Sequence, residues 1–198
     1  MSSTNSGLTL VLASSSRYRR ELLERLKLPF QIIAPDIDES PLAQENPAAT
    51  AQRLALAKAH AARGKFSNSL VIGSDQVAFC EGVRLDKPGN HDGALAQLRH
   101  SSGRSVSFLT AICLFNTVSG RTQTRLVPTD VRYRKFSDAE IERYLRVEPA
   151  YDCAGSAKAE GLGISLIESI QSSDPTALIG LPLIALSEML REEKLPLP

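Results

Sequence analysis

The 198-residue sequence has no tryptophan and only three cysteines and three histidines. Cys80, Cys113 and Cys153 are odd in number and widely spaced, which is not the pattern of a disulfide framework or of a zinc site. The histidines are scattered as well, without the paired spacing of metal ligands. We therefore expect reduced thiols and no histidine-based metal site.

Long hydrophobic runs and charge of one sign are also missing. No run approaches the roughly 18 apolar residues that read as a membrane-spanning helix. The start, MSSTNSG, lacks the basic and apolar regions of a signal peptide, so residues 1–7 are expected to form a flexible tail and the protein to be cytoplasmic. With 23 basic and 22 acidic residues the net charge is +1, which predicts neither nucleic acid nor membrane as a partner. Any anion binding must be local.

Apolar runs alternate with stretches of helical periodicity, in a chain whose length suits one domain over residues 1–198. The predicted strands are Leu8–Ala13, Phe30–Ala34, Leu70–Gly73, Val106–Phe115, Thr124–Tyr133 and Gly163–Ile170. The predicted helices are Tyr18–Leu28, Thr50–Arg63, His91–His100, Ser137–Val147 and Pro182–Arg191. This alternation indicates an α/β fold.

Two local patterns refine that prediction. A turn around Ser119 and Gly120 joins two long strand-like runs, which predicts a hairpin and hence a mixed rather than a parallel sheet. Ser137 followed by Glu140 is a capping box, which marks the start of a helix. Pro182 suits the first turn of the last helix.

The stretch LVLASSSRYRRELLERL places three serines after an apolar strand and four arginines at the start of a helix. Cations are unfavourable at a helix N-terminus, so the arginines suggest a phosphorylated ligand held by hydroxyls, backbone N–H groups and guanidinium groups. A serine N-cap followed by a solvated helix explains the same residues equally well. The pattern leaves both interpretations open.

Carboxylates follow two other strands. In LVIGSDQVAF the apolar run stops at Gly73, so that Asp75 is expected at a strand end, where α/β sheets place their ligands. An Asx turn between two strands is the competing interpretation. Asp36, Asp38 and Glu39 in APDIDES could ligate a hard cation or form a solvated acidic loop.

Lysines complete the inventory. Lys58 in an alanine-rich helix and Lys87 in LDKPG could each contact a phosphate, although surface lysines are more common. The loop CAGSAKAEGLG carries Lys158 and Glu160 among small residues that would let a flat ligand approach the backbone. Taken together, these segments contain the residues of a metal-assisted phosphoryl-transfer site.

The segments LASSSRYRRELL, DIDES, IGSDQV, DKP, AGSAKAEGLGI and IGLPL, together with Lys58, resemble in content and order the Maf-like nucleoside triphosphate pyrophosphatases. The resemblance runs from about Leu8 to Leu190. It implies an elongated mixed β-sheet whose flanking helices form a cleft between two lobes, as in the inosine triphosphate pyrophosphatases. It also implies hydrolysis of a nucleoside triphosphate to monophosphate and diphosphate, a divalent cation such as Mg²⁺ or Mn²⁺, and a homodimer.

The same resemblance assigns roles to individual residues. Asp75 matches the catalytic carboxylate that accepts a proton from water, and Glu39 matches a metal-binding acid, a role that Asp75 can share. The positions that match the family's triphosphate-binding residues are Ser14, Arg19, Lys58 and Lys87.

Three further positions resemble the subclass that acts on 7-methyl-GTP: Tyr18, Gln76 and Glu160. An aromatic face attracts the cationic methylated guanine by about 0.5–2 kcal/mol, and Glu160 can accept hydrogen bonds from its N–H edge. Gln76 could read another base edge or brace the loop of Asp75. The chain departs from the subclass pattern in having Tyr18 for Trp and Arg17 for Pro.

The resemblance thus predicts an enzyme that hydrolyses 7-methyl-GTP to 7-methyl-GMP and diphosphate, and that in this way clears modified nucleotides before their incorporation into nucleic acids. Hydrolysis of dTTP, UTP or another non-standard nucleotide is one alternative. A nucleotide-binding regulator of cell division, with incidental hydrolysis, is another.

Overall fold

One mixed sheet forms the framework of the computed structural model, which describes residues 7–197. Its strands are β1 Thr9–Ala13, β2 Phe30–Ile33, β3 Ser69–Cys80, β4 Val83–Arg84, β5 Ser105–Asn116, β6 Thr122–Tyr133 and β7 Ile167–Ser172. The helices are α1 Arg17–Glu24, α2 Pro47–His60, α3 His91–Ser101, α4 Asp138–Val147 and α5 Leu183–Glu192. The predicted α/β class is confirmed, whereas the predicted tail lies, apart from Gly7, outside the described residues.

The strand order is β2-β1-β3-β5-β6-β7, with β4 paired to β3. β1 runs parallel to β2 and β3, and the other pairs are antiparallel. β5 and β6 form the predicted hairpin, with Gly120 at φ +74° in its turn. The capping box is also present, since the backbone N–H of Ser137 donates to the Glu140 carboxylate at 2.8 Å.

Two predicted strand boundaries are wrong. β3 does not stop at Gly73 but continues to Cys80, so Asp75 lies inside a strand, opposite Ala111 of β5. Neither the strand end nor the Asx turn describes its setting. Cross-strand pairing overrides the break in hydrophobicity at Gly73, as tertiary context often does. Residues 162–166 form a 3₁₀ turn, and β7 begins only at Ile167.

The side chains of β3 alternate between two cores because successive residues of a strand point to opposite faces. Leu70 and Ile72 pack in a core with side chains of α1 and α5. Val71 and Val77 pack in a core with the alanines of α2. A third core, with side chains of α3 and α4, surrounds the far end of the long strands. Helices α1, α2 and α5 thus pack on one part of the elongated sheet, and α3 and α4 pack on the other part. This is the arrangement that the predicted two-lobed fold requires.

A gap in the sheet lies between these groups. β1 pairs with β3 as far as Ile72, and β4 pairs with β3 from Phe79 onward. On this side of β3, residues 73–77 have no strand partner among the described residues. The gap places Asp75 and Gln76 beside the segment that follows β1.

Two predicted absences can be compared with the described residues. Within residues 7–197, no helix combines the length and apolarity needed to cross a bilayer. The three cysteines are free thiols. Burial raises the pKa of Cys113 and of Cys153 to about 12, so neither thiol is poised to react near neutral pH.

Candidate active site

A cavity of about 690 Å³ opens at the gap in the sheet. Its walls are the segment after β1, the unpaired stretch of β3, α2 and the loop after β4. The predicted site residues that line it are Ser14, Tyr18, Arg19, Glu39, Lys58, Asp75, Gln76 and Lys87. Residues from widely separated segments therefore meet in one cleft.

Lys58 is positioned by unusually close packing of α2 on β3. A Cβ added at Gly73 would lie 2.2 Å from the carbonyl oxygen of Ala55 and 2.5 Å from the nitrogen of Ala59. Only glycine permits this approach, which explains why the apolar run of β3 is interrupted there. Lys58, between these two alanines, is brought over Asp75.

Lys58 is buried and joins two carboxylates. Its Nζ donates to Asp75 Oδ1 at 2.6 Å and lies 2.9 Å from Glu39 Oε1. The Lys58 and Asp75 side chains are only 6% and 9% exposed, whereas Glu39 is 56% exposed. A buried charge requires a partner, and Lys58 supplies one for Asp75, while the second carboxylate, Glu39, leaves these three groups at the cavity wall with one excess negative charge.

The Glu39 and Asp75 carboxylates fit a divalent cation, because both converge on one cationic atom, the ammonium nitrogen of Lys58. Carboxylate oxygens suit Mg²⁺ or Mn²⁺. Among residues 7–197, no group of three or more His, Cys, Asp or Glu side chains could hold a metal by itself. A site with only the two carboxylates of Glu39 and Asp75 would suit Mg²⁺, because this ion commonly keeps several waters and also binds substrate phosphates. Asp36 and Asp38 do not line the cavity.

The serine–arginine segment forms another part of the cavity wall. Ser14 is buried, and its Oγ accepts from the Ser16 N–H at 3.1 Å. Ser16 is the N-cap of α1, with its hydroxyl accepting from the Arg19 N–H at 3.4 Å. Arg19 Nε donates to the Gly180 carbonyl at 2.8 Å. Burial lowers the pKa of the Arg19 guanidinium, although the negative charges of Asp75 and Glu39 act to raise it. The serine cap thus coexists with an arginine that faces the cleft.

The other basic residues separate into two groups. Arg17 lines the cavity, as does the exposed Lys87 after β4. Arg20 pairs with Glu24 at 3.6 Å, and Arg25 is the C-cap of α1. The arginine cluster is therefore not a single phosphate-binding feature.

A second, smaller cavity of about 40 Å³ is also lined by Tyr18 and Gln76, and here Glu160 joins them. Apolar and small side chains, including Phe108, Ala154 and Leu178, form part of its wall, and Lys158 is a further polar lining residue. The three predicted specificity positions therefore lie around one pocket. Because Tyr18 lines both cavities, the pocket and the main cleft share a wall.

Gln76 has a structural role in this pocket. Its Nε2 donates to Thr110 Oγ1 at 2.9 Å and to the carbonyl oxygens of Ala177 and Leu178 at 3.0 and 3.1 Å. These bonds hold the 3₁₀ turn Ala177–Ile179 against β3. Gln76 therefore braces the turn Ala177–Ile179 and not, as expected, the loop around Asp75. Contact of Gln76 with a base stays a prediction.

Asp152 is a cavity residue that the sequence did not reveal. Its Oδ2 accepts from the Tyr18 hydroxyl at 3.0 Å, across 134 residues of sequence. It also lies 3.6 Å from Arg17 Nη2 and 3.4 Å from Lys158 Nζ. The Tyr18 hydrogen bond and the Lys158 charge outweigh the effect of burial and lower the pKa of Asp152. No local motif marks this residue.

A mixed α/β sheet with a gap gathers lysines, carboxylates and an arginine in one cleft, which is the set of groups that a phosphoryl-transfer site requires. The model of the Maf-like protein family matches residues 9–193, and the chain belongs to that family. A relative from Burkholderia pseudomallei (strain 1710b), 58% identical over 95% of this chain and 89% of its own length, is named 7-methyl-GTP pyrophosphatase.

Relatives from other genera carry the same name. A Thiobacillus denitrificans protein is 56% identical over 96% of this chain and 94% of its own length. A protein from Cupriavidus metallidurans is 55% identical over 94% of each chain.

Proposed function

We propose that this protein hydrolyses 7-methyl-GTP to 7-methyl-GMP and diphosphate and so removes a modified nucleotide before it can enter nucleic acids. The carrying observation is the convergence of Lys58, Asp75 and Glu39 in a cleft that shares Tyr18 with a small pocket. The 690 Å³ cleft is large enough for a nucleotide, and in this proposal the base lies at its Tyr18 wall, with the 40 Å³ pocket contributing side chains beside the base rather than enclosing it. The name shared by the relatives supports the same substrate.

In the proposed complex, basic residues around the cleft bind the triphosphate. Arg19 offers a forked guanidinium, and Lys58 and Lys87 offer point charges. Ser14 adds a hydroxyl and lies where the chain leaves β1 toward α1, a common place for phosphate groups. These groups neutralise charge on the phosphates and on the departing diphosphate.

Asp75 acts as the general base in this proposal. A water molecule adds to the α-phosphorus while its proton passes to the Asp75 carboxylate, and the bond from that phosphorus to the bridging oxygen breaks. Diphosphate then leaves with the electron pair of that bond. The salt bridge to Lys58 and the flanking strand β5 hold the carboxylate in place before the substrate arrives.

Glu39 and Asp75 would hold the divalent cation, for which we propose Mg²⁺ or Mn²⁺. Bound there, the ion would neutralise phosphate charge and favour ionisation of water. Lys58 Nζ lies within 2.9 Å of an oxygen of each carboxylate, so its charge would act together with that of the ion on the phosphates.

Tyr18 provides the face for the base. A methyl group at N7 gives guanine a positive charge, and an aromatic ring attracts such a cation by about 0.5–2 kcal/mol. Glu160, exposed at the edge of the small pocket, adds a negative charge and hydrogen-bond acceptors. A neutral pyrimidine would lack the cation–π attraction and would offer Glu160 only the single N–H donor of its ring.

The test is diphosphate release by the purified protein, with Mg²⁺ and with Mn²⁺, from 7-methyl-GTP, GTP, dTTP and UTP. We expect the largest kcat/KM for 7-methyl-GTP. A preference for dTTP or UTP would refute the proposed substrate while preserving the reaction, and no release from any of the four would refute both.

We propose in addition that the protein acts in the cytoplasm as a homodimer with the nucleotide as its ligand, and that neither nucleic acid nor membrane is a partner. Light scattering coupled to gel filtration measures the oligomeric state directly. A monomer at micromolar concentration would contradict the dimer.

A further inference from the structure

The ring of Tyr18 already has cationic neighbours in this structure. Arg17 Cζ lies 4.7 Å from the ring centroid, and Lys158 Nζ lies 5.8 Å from it. Arg17 also donates to the Tyr18 hydroxyl at 2.8 Å. A ligand base that stacks on this ring therefore enters a place where cation–π contacts exist.

The two cations differ in how firmly they are held. Lys158 is only 12% exposed, and its Nζ donates to the carbonyl of Pro149 at 3.4 Å. Arg17 is 60% exposed, and its partners are Tyr18 and Asp152. Arg17 can leave the ring at little cost, whereas Lys158 is part of the pocket wall.

Asp152 is the anionic counterpart of both cations. Its carboxylate lies within 4 Å of the Arg17 and Lys158 nitrogens and accepts a hydrogen bond from Tyr18. A cationic base on the ring would lie close to the same carboxylate. Arg17 and the base would then compete for contact with the same ring and with the same negative charge.

We propose that Arg17 and Asp152 act in opposite directions on the preference of the site for a cationic over a neutral base. This inference rests on the proposed function. Asp152 favours a cationic base over a neutral one, because its charge offsets that of Lys158 beside the ring. Arg17 limits this preference, because its guanidinium is tethered next to Tyr18 and repels a second cation even when displaced. This assigns a role to the arginine that replaces the proline of the resembled motif.

The two substitutions should change selectivity in opposite directions. Arg17→Gln removes the charge and retains an amide donor, and Asp152→Asn removes the charge and retains an acceptor for the Tyr18 hydroxyl. We expect Arg17→Gln to raise the ratio of affinities for the methylated and unmethylated nucleotide by about two- to fivefold, the range of an exposed cation–π contact. Asp152→Asn should lower it by a similar factor, and the double variant should lie near the wild type.

The experiment measures dissociation constants of 7-methyl-GMP and GMP by isothermal titration calorimetry for the wild type and each variant. These product nucleotides report recognition without turnover. Arg20→Gln is the matched control, because Arg20 is on the same helix, is exposed and pairs with Glu24 outside both cavities. It should leave the ratio unchanged. Circular dichroism verifies folding, and Arg17→Ala serves as a second variant if Arg17→Gln is unstable.

An unchanged ratio in Arg17→Gln and Asp152→Asn would overturn the inference. So would an equal loss of affinity for both nucleotides in Arg17→Gln, since Arg17 would then be a phosphate ligand. Failure of the proposed function would be seen separately, because that proposal is tested by diphosphate release from the wild type. The present inference is tested by how the ratio of affinities for 7-methyl-GMP and GMP changes in the variants. Opposite shifts that shrink as salt is added would support the electrostatic origin.

Discussion

The ammonium of Lys58 and the carboxylate of Asp75 form a buried ion pair, with Nζ 2.6 Å from Oδ1. The pair joins α2 to β3 at the point where β3 has lost its β1 neighbour. Removing Lys58 would leave the buried Asp75 carboxylate without this partner in a poorly solvated place, whereas removing the Asp75 charge leaves Lys58 paired with Glu39. The pair therefore links the stability of the cleft to its proposed chemistry.

Asp75→Asn should reduce kcat by at least about 100-fold, because the amide cannot accept the water proton. The similar shape of asparagine should preserve nucleotide binding. Diphosphate release and the dissociation constant of 7-methyl-GMP check the two parts. Asp92→Asn, an exposed aspartate in the first turn of α3, is the control.

Retained turnover in Asp75→Asn would contradict the general-base role. The same variant also addresses the regulator alternative. A cell that carries inactive but nucleotide-binding protein and divides normally, while cells that lack the protein do not, would favour regulation over hydrolysis as the cellular role.

Tyr18→Ala should reduce the preference for 7-methyl-GTP over GTP more than it slows hydrolysis, because it removes the ring but no proposed phosphate ligand. Tyr18→Phe is the matched variant: it retains the ring and loses only the hydroxyl that donates to Asp152. We expect Phe to keep most of the preference. The measurement is kcat/KM for both nucleotides, and an equal loss for both in Tyr18→Ala would exclude a role in base selection.

Gly73→Ala should lower the melting temperature by about 5–10 °C, since overpacking of about 2–3 kcal/mol would force α2 away from β3. Lys58 would move with the helix, so turnover should fall as well. Gly64→Ala is the control: its φ of +79° is also unfavourable for alanine, but nothing lies within 4 Å of the added Cβ. Its stability should decrease while kcat stays unchanged. Full activity of folded Gly73→Ala would contradict this coupling.

Glu45 should make stability depend on acid pH. Hydrogen bonds from Arg53, at 2.7 and 2.8 Å, lower the pKa of Glu45 to about 2. Because the folded-state pKa lies below its ordinary value of 4.5, the stabilisation is complete above that pH and is lost progressively as pH falls toward 2. Glu45→Gln should therefore melt below the wild type at pH 7.

The difference in melting temperature between wild type and Glu45→Gln should decrease below about pH 4.5, which thermal melts over a pH series will show. Glu188→Gln, at an exposed position of α5, is the control. A difference that stays constant down to the acid transition would show that the Glu45–Arg53 pair does not contribute through ionisation.

Much of the fold could be predicted because local signals agree with it. The hairpin at Gly120 and the capping box at Ser137 are determined within a few residues, and the periodicity of α2 and α5 reflects the face each buries. The residues to which the resemblance gave roles were named through motif order, and the structure brings them to two adjoining cavities, whereas Asp36 and Asp38 lie outside both. Their roles stay predictions.

What the sequence alone determined is the type and order of most elements, together with the inventory of charged and polar groups in the cleft. Only the tertiary structure decided that Asp75 lies within a strand, because pairing with β5 continues through it. It also decided that Lys58 meets Asp75 and that Tyr18 meets Asp152. Periodicity indicates which face of an element is buried, whereas contacts between distant residues depend on how closely the elements pack. Here Gly73 permits the close approach of α2 to β3 that brings Lys58 to Asp75.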